Sequence, residues 1–237
     1  MQIINYYKMQ FSIILPCYNE SKNIKKLIIE IEQNLKGYNY EIIFIDDKSN
    51  DNSIEIVRKL KNNKIILEVN KKNLGQSHCI HRGVKIAKSN TIVTMDCDGQ
   101  NNPKDILKLY KLYNDNDDIY LVGGIRSNRK DNLIKIYSSK IANNIRNFIL
   151  KDNCSDTGCS LKVFDRQSFL QFPLFSGLHR FLPALFLGLN KKTLFVSVDH
   201  RKRLYGISKY GTFNRAFNGV KDLFFVYRII NQMKKNV

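Results

Sequence analysis

From residue 11 to residue 98 the chain alternates between short apolar, β-branched runs and longer segments with apolar residues at helical spacing. The runs cover residues 11–15, 41–45, 65–69 and 91–94, each of strand length and composition. Between them, Ile24, Leu27, Ile28, Ile31 and Leu35 mark one helical face, Ile54, Val57 and Leu60 a second, and Ile80, Gly83, Val84 and Ala87 a third. Strands alternating with helices of this length predict an α/β fold, with a parallel sheet covered on both faces and right-handed crossovers. Three of these strands end in acidic residues: Glu20, the pair Asp46 and Asp47, and the pair Asp96 and Asp98. The carboxyl edge of an open α/β sheet is where ligands bind. A bare cluster of carboxylates there repels itself, and makes sense when a cation and the polar donors of a ligand share the edge.

The sharpest stretch is Asp96-Cys97-Asp98-Gly99-Gln100. In an extended chain Asp96 and Asp98 point to one side and Cys97 to the other. With the amide oxygen of Gln100 they form a hard-oxygen set suited to Mg²⁺ or Mn²⁺, an ion that usually takes phosphates as its remaining ligands. The alternative is a polar turn after a strand. Charge favours an anionic partner: 39 basic against 21 acidic residues give +18, which suits nucleic acid, phosphorylated small molecules or an anionic membrane surface. The five cysteines, at 17, 79, 97, 154 and 159, are odd in number and contain no CxxC. That argues against a disulfide framework or zinc site and for a reducing compartment. Residues 1–10 read as a short extension without the apolar core of a signal peptide. The longest apolar runs, 181–189 and 223–227, fall short of the ~18 residues of a membrane span.

The second half is less regular. A helix is expected over 103–113, a strand over 120–122 ending in a loop through Gly123, Gly124 and Arg126, and a long helix over 133–150. A strand at 161–164, a helix at 179–187 with Pro183 in its first turn or at a kink, and a strand at 193–198 follow. The main domain spans 11–211. Residues 212–237 form a basic amphipathic helix rich in Phe, Tyr, Val and Ile, able to lie in a membrane interface. The alternative is that it packs back on the domain, on a second copy or on a membrane-protein partner.

Pro16-Cys17-Tyr18-Asn19-Glu20, Ile45-Asp46-Asp47-x-Ser49-x-Asp51, Asn73-Leu74-Gly75 and Asp96-Cys97-Asp98-Gly99-Gln100 together resemble the ordered signature of family 2 glycosyltransferases. Arg203-x-Tyr205-Gly206-x-Ser208-Lys209 resembles the closing loop of the dolichol-phosphate mannosyltransferase and polyprenyl-phosphate sugar transferase branch, in a short form without membrane spans. The resemblance covers about residues 9–211 and implies a GT-A type, Rossmann-like fold with a metal at the Asp-x-Asp turn. It implies that Pro16, Tyr18 and Glu20 hold the nucleoside, with Ile45 and Asp47 beside base and ribose and Cys97 within the nucleotide-sugar site. Asp96, Asp98 and Gln100 would hold Mg²⁺ or Mn²⁺, and Arg126, Arg203 and Lys209 the diphosphate and the acceptor phosphate. Cys97 stands where Ala is usual, and Lys162 where Arg is common.

The implied reaction is metal-dependent, inverting transfer of a hexose, mannose or another sugar, from a GDP- or UDP-sugar to a polyprenyl or dolichyl phosphate. The expected location is the cytoplasm, peripheral on the cytoplasmic face of the membrane. A phosphate monoester has a second pKa of about 6, so the acceptor oxygen is already ionised near neutral pH and needs no strong base. The protein's task is to position two anions and neutralise the leaving diphosphate. Asp98, Arg126 and Arg203 are the residues assigned to that task, with Asp156 as an orienting acid near the sugar. Arg126 and Arg203 can grip phosphate in a fork, whereas Lys209 is a point charge. His179 and His200 read as structural. One alternative changes the acceptor to a polysaccharide or glycolipid. Another class is a non-catalytic basic protein that binds nucleic acid or membrane by charge; acidic strand ends and the absence of a recognised nucleic-acid motif argue against nucleic acid. No G-x-G-x-x-G follows the first strand, which argues against a Rossmann dehydrogenase.

Overall fold

The apolar runs form strands and the striped segments form helices, in the order β1 (Phe11–Cys17), α1 (Ser21–Asn34), β2 (Tyr40–Asp46), α2 (Ser53–Lys59), β3 (Ile65–Val69), α3 (Gln76–Ile86) and β4 (Thr91–Thr94). The second half adds α4 (Asp105–Asn114), β5 (Ile119–Arg126), α5 (Leu133–Leu150), β6 (Lys162–Asp165), the single turn α6 (Arg166–Phe169), α7 (Leu178–Gly188), β7 (Lys192–Val198) and α8 (Thr212–Lys235). The computed structural model describes residues 9–127, 133–203, 205 and 212–235.

The strands form one sheet in the order β3-β2-β1-β4-β6-β5-β7. Pairing is parallel throughout except around β6, which runs antiparallel to β4 and to β5. The sheet is therefore mostly parallel, with β6 as its one reversal. Residues alternate between its faces as the pleat requires. Phe11, Ile13, Leu15 and Cys17 of β1 join Ile24, Leu27, Ile28 and Ile31 of α1 with Val57, Ile106 and Leu109 in one core layer. Ile14, Ile43, Ile45 and Ile92 face the other layer, built from α3, α6, α7 and the inner side of α8. Each fully buried Ile or Leu in these layers is worth about 1.5–3 kcal/mol.

Chain order reverses beside β1: β2 and β3 lie on one side of it, β4 on the other. The crevice above the carboxyl ends at such a switch point is the default ligand site of an open α/β sheet. β1 leads there into Glu20, and β4 into Asp96 and Asp98.

Several elements depart from the sequence reading. β5 continues to Arg126, so Gly123 and Gly124 are strand residues rather than the start of a loop. Pro183 lies in the interior of α7, past its first turn. β4 stops at Thr94, and Cys97 and Asp98 occupy a turn, so the two carboxylates are brought together by a bend, not by alternation along a strand. In α8, Leu223, Val226, Ile229 and Ile230 are buried against the domain, with Ile230 packed against Gly188 of α7. Val220, Phe224 and Tyr227, on another side of the helix, stay exposed. Packing on the domain thus accounts for one face of α8 and leaves an apolar one open. Among the described residues, no helix is long and apolar enough to cross a membrane.

Candidate active site

The turns after β1 and β2 are bonded to each other. The Asn19 amide donates to Ser49 Oγ (2.9 Å), Glu20 to Ser53 Oγ (3.1 Å) and Ser21 to Asp51 Oδ2 (3.0 Å), while Asn50 donates back to Asn19 Oδ1 (2.7 Å). Asn19 adopts φ 54°, a conformation Asn tolerates better than most residues. Burial opposes the charge on Asp51, but donors from Ser53 and Ser21 outweigh it and hold its carboxyl below the usual range. Ser49, Asp51 and Ser53 are therefore braces that shape the segment carrying Tyr18 and Glu20. Pro16 is paired with Ile45 in the sheet. Ile45 is 0% exposed and Cys97 2%. Both are core residues.

Asp47 is buried at the end of β2. Its carboxylate accepts from Asn70 Nδ2 (2.7 Å) and the amides of Leu74 (2.9 Å) and Gly75 (2.7 Å). Gly75 has φ +87°, a conformation L side chains avoid, which explains the glycine in Asn73-Leu74-Gly75. The next residue, Gln76, donates to Asp96 Oδ1 (2.7 Å). One turn thus touches the acidic groups at the ends of both β2 and β4.

Asp96 and Asp98 form the centre. Burial first, and then the charge of Asp98, push the Asp96 carboxyl up to about 6; a bond from Ser160 and the charges of Lys162 and Arg126 offset part of this. Asp98 Oδ1 accepts from the Gln100 amide (3.0 Å), and Oδ2 from Arg203 (2.6 Å), whose guanidinium also lies 3.8 Å from Glu20. Burial works against the charge of Arg203, but Asp98, Glu20 and Asp96 outweigh it and raise its pKa further. Glu20, Asp96 and Asp98 all act on the Arg203 guanidinium, while Lys162 and Arg126 act on Asp96. Two neighbouring carboxylates and an amide oxygen nearby suit a hard divalent cation. Among the described residues no three His, Cys, Asp or Glu groups converge on a metal position, so further ligands of such an ion would come from phosphate and water.

The segment after β7 closes over this turn. Asn101 bridges His200, the Arg201 amide donates to the Gln100 carbonyl (2.8 Å) and Arg201 pairs with Glu30 of α1 (2.6 Å). The Gln100 amide reaches His200 Nε2 (3.3 Å) and the Arg201 carbonyl (3.4 Å), so this candidate ligand is engaged by the closing segment. A cleft of ≈ 170 Å³ beside Asp98 is lined in part by Asn23, Lys26, Arg201 and Lys202. Arg126, at the end of β5, points its fork at Asp156: Nε donates to Oδ2 (2.8 Å) and an Nη to Oδ1 (2.7 Å). Lys209 lies outside the described residues.

The structure brings Glu20, Asp96, Asp98, Gln100 and Arg203 together, with Arg126 and Asp156 joined to each other and Arg126 acting on Asp96 through its charge. Sequence reasoning missed Gln76, Asn70 and Ser160 as partners of the acidic groups. The singled-out Asn73-Leu74-Gly75 turn was the available signal for Gln76; Asn70 and Ser160 act across distances that local pattern does not encode.

Residues 12–172 match the model of glycosyl transferase family 2, and the chain belongs to that family. It is 31% identical over 224 residues to dodecaprenyl-phosphate galacturonate synthase of Rhizobium johnstonii, covering 91% of this chain and 65% of that protein. It is 30% identical over 205 residues to undecaprenyl-phosphate 4-deoxy-4-formamido-L-arabinose transferase of Aeromonas hydrophila, covering 84% and 62%. The chain therefore spans somewhat less than two thirds of the length of these relatives. Among solved structures, glucosyl-3-phosphoglycerate synthase of Mycobacterium tuberculosis, in complex with Mn²⁺, UDP and glucosyl-3-phosphoglycerate, superposes with a TM-score of 0.71 at 14% identity, covering 94% of this chain and 80% of that one. Mannosyl-3-phosphoglycerate synthase of Rubrobacter xylanophilus gives 0.71 at 13%, covering 96% and 75%. These likenesses establish the fold as GT-A type.

Proposed function

We propose that the chain transfers a sugar from a nucleotide-sugar to a polyprenyl phosphate, with inversion and with help from Mg²⁺ or Mn²⁺. The observation that carries this reading is Arg203 on Asp98 and Glu20: the arginine of the closing segment meets the carboxylates at the switch point, where a diphosphate and an acceptor phosphate would converge. The names of both relatives above, each specifying a polyprenyl phosphate, support the acceptor class. UDP with Mn²⁺ or Mg²⁺ in the solved neighbours supports the metal and makes uridine the first base to test.

In this reading Tyr18, Glu20 and Asp47 receive the nucleoside over the ends of β1 and β2. Asp96, Asp98 and the Gln100 side chain hold the divalent ion, which supplies positive charge to the leaving diphosphate. Arg203 leaves Asp98 to grip phosphate, and Arg126, aligned by Asp156, faces the second anion. The ionised acceptor oxygen attacks the anomeric carbon as the bond to the diphosphate breaks, without a covalent sugar intermediate.

The exposed stripes of α8 (Val220, Phe224, Tyr227) and α5 (Ile141, Ile145, Phe148) support attachment to the membrane holding the acceptor. The proposed location is peripheral, on the cytoplasmic face. The test is transfer of label from a panel of UDP- and GDP-sugars to polyprenyl phosphate, with and without EDTA. Label extracted into organic solvent only when metal is present is the expected result. No extractable label from any donor would overturn the acceptor assignment.

A further inference from the structure

We propose that Arg146, on the inner side of α5, is a positioning residue for Arg126; this rests on the reading above, in which Arg126 meets phosphate. Arg146 is 6% exposed and its partner Asp152 0%. All five guanidinium donors are used. Nε donates to Asp152 Oδ2 (3.0 Å), one Nη to Asn143 Oδ1 (2.6 Å) and Thr157 Oγ1 (2.8 Å), and the other to Asp152 Oδ1 (3.1 Å) and the Cys154 carbonyl. Asn143, one turn earlier on α5, donates to the Ser155 carbonyl (2.6 Å), and the Cys154 amide donates to Asp152 Oδ1 (3.1 Å).

The residues on both sides of Asp156 are thus tied to one helix, Ser155 through its carbonyl and Thr157 through its hydroxyl. Asp156, itself buried, accepts from the Arg126 backbone amide (3.1 Å) as well as from both ends of its fork. Gly158 completes the fit, since a Cβ there would lie 2.9 Å from an Arg126 Nη. A buried ion pair is weak evidence of stabilisation, because desolvation offsets its attraction. A five-donor fork with four of its bonds going to Asp152, Cys154 and Thr157 of one short loop, and the fifth to Asn143 of its own helix, instead specifies direction. The chain of contacts runs from α5 to the 152–157 loop, to Asp156 and to the Arg126 guanidinium.

Thr157→Val keeps shape and leaves the Arg146–Asp152 pair intact while removing the two bonds of the hydroxyl, from Arg146 and to Asn143. Arg146→Lys keeps the charge but not the fork. Hydrogen exchange of the Arg126 amide, calorimetric affinity for UDP, and kcat/KM for a short-chain polyprenyl phosphate are measured on each. The expected result is at least tenfold faster exchange at Arg126 with β1 unchanged, at least a tenfold fall in acceptor kcat/KM, and UDP affinity within twofold of the unaltered protein. Unchanged exchange at Arg126, or acceptor and UDP binding falling together, overturns the proposal. Should Arg146→Lys fail to fold, Thr157→Val decides alone. Should the unaltered protein transfer no sugar to lipid phosphate, the functional reading fails, and the exchange rate at Arg126 by itself decides the positioning claim.

Discussion

Arg203 occupies Asp98 Oδ2 at 2.6 Å, where a metal ligand would offer its lone pair. A guanidinium and a divalent ion compete for that oxygen. Arg203→Ala should therefore tighten Mn²⁺ binding in the absence of nucleotide while lowering sugar transfer. A hydrogen bond to a charged group is worth about 1.5–3 kcal/mol, so the gain in Mn²⁺ affinity is on the order of tenfold or more. Titration of free Mn²⁺ by electron paramagnetic resonance checks it, and weaker Mn²⁺ binding in the variant would count against competition at Asp98. Asp47 gives a second residue-scale expectation. Its carboxylate accepts three donors, and Asp47→Asn turns one acceptor into a donor facing N–H groups. A buried donor left without an acceptor costs about 1–3 kcal/mol, or roughly 2–4 °C in Tm per kcal/mol for a chain of this size. Calorimetry should show that fall together with weakened UDP binding, since the same turn shapes the proposed nucleoside site.

Helix α8 has two apolar faces, one buried against the domain and one exposed. Ile230→Ala, on the buried face, should cost about 2–5 kcal/mol, read as a lowered unfolding midpoint in urea. Phe224→Asp, at a residue 61% exposed, and Phe148→Asp, at one 85% exposed on α5, should leave that midpoint within roughly 0.5 kcal/mol of the parent and weaken sedimentation with anionic vesicles. Vesicle binding equal to the parent would dissociate both stripes from the membrane. The helical stripes of the first half were legible because apolar spacing at 3.6 residues is written locally, and the carboxyl-edge acids were legible for the same reason. β6 was legible as a strand but not in its direction, because four residues carry no sign of which neighbours they meet. Gly123 and Gly124 read as punctuation, yet they lie within β5 where Phe195, Val198 and Cys159 press on the backbone. Arg126 and Asp156 were each named from sequence. Their mutual fork was not, since it depends on α5 and a loop thirty residues away.

Over the whole molecule, all five cysteines are free and buried. A thiol reagent at pH 8 should find essentially none in the native protein and five after denaturation; a fast native reaction would contradict the packing. Burial raises Cys154 and Cys159 to about 11, and burial with the charge of Glu32 raises Tyr40 to about 12. The fold favours the neutral form of each. The stability they contribute is complete below the ordinary thiol and phenol values and is lost as pH rises through them toward the folded values. Denaturant midpoints should hold level near neutrality and decline from about pH 9 upward; a flat profile to pH 11 would refute this. The reversal at β6 bears on how the chain is made. During synthesis β4 emerges with one side covered by β1, and its other side waits about seventy residues for β6. Until then the growing chain carries an open strand edge beside the Asp96–Asp98 turn, a template for wrong pairing. The carboxylates proposed to receive ligand would, at that stage, also set like charge against the same edge of a neighbouring nascent chain.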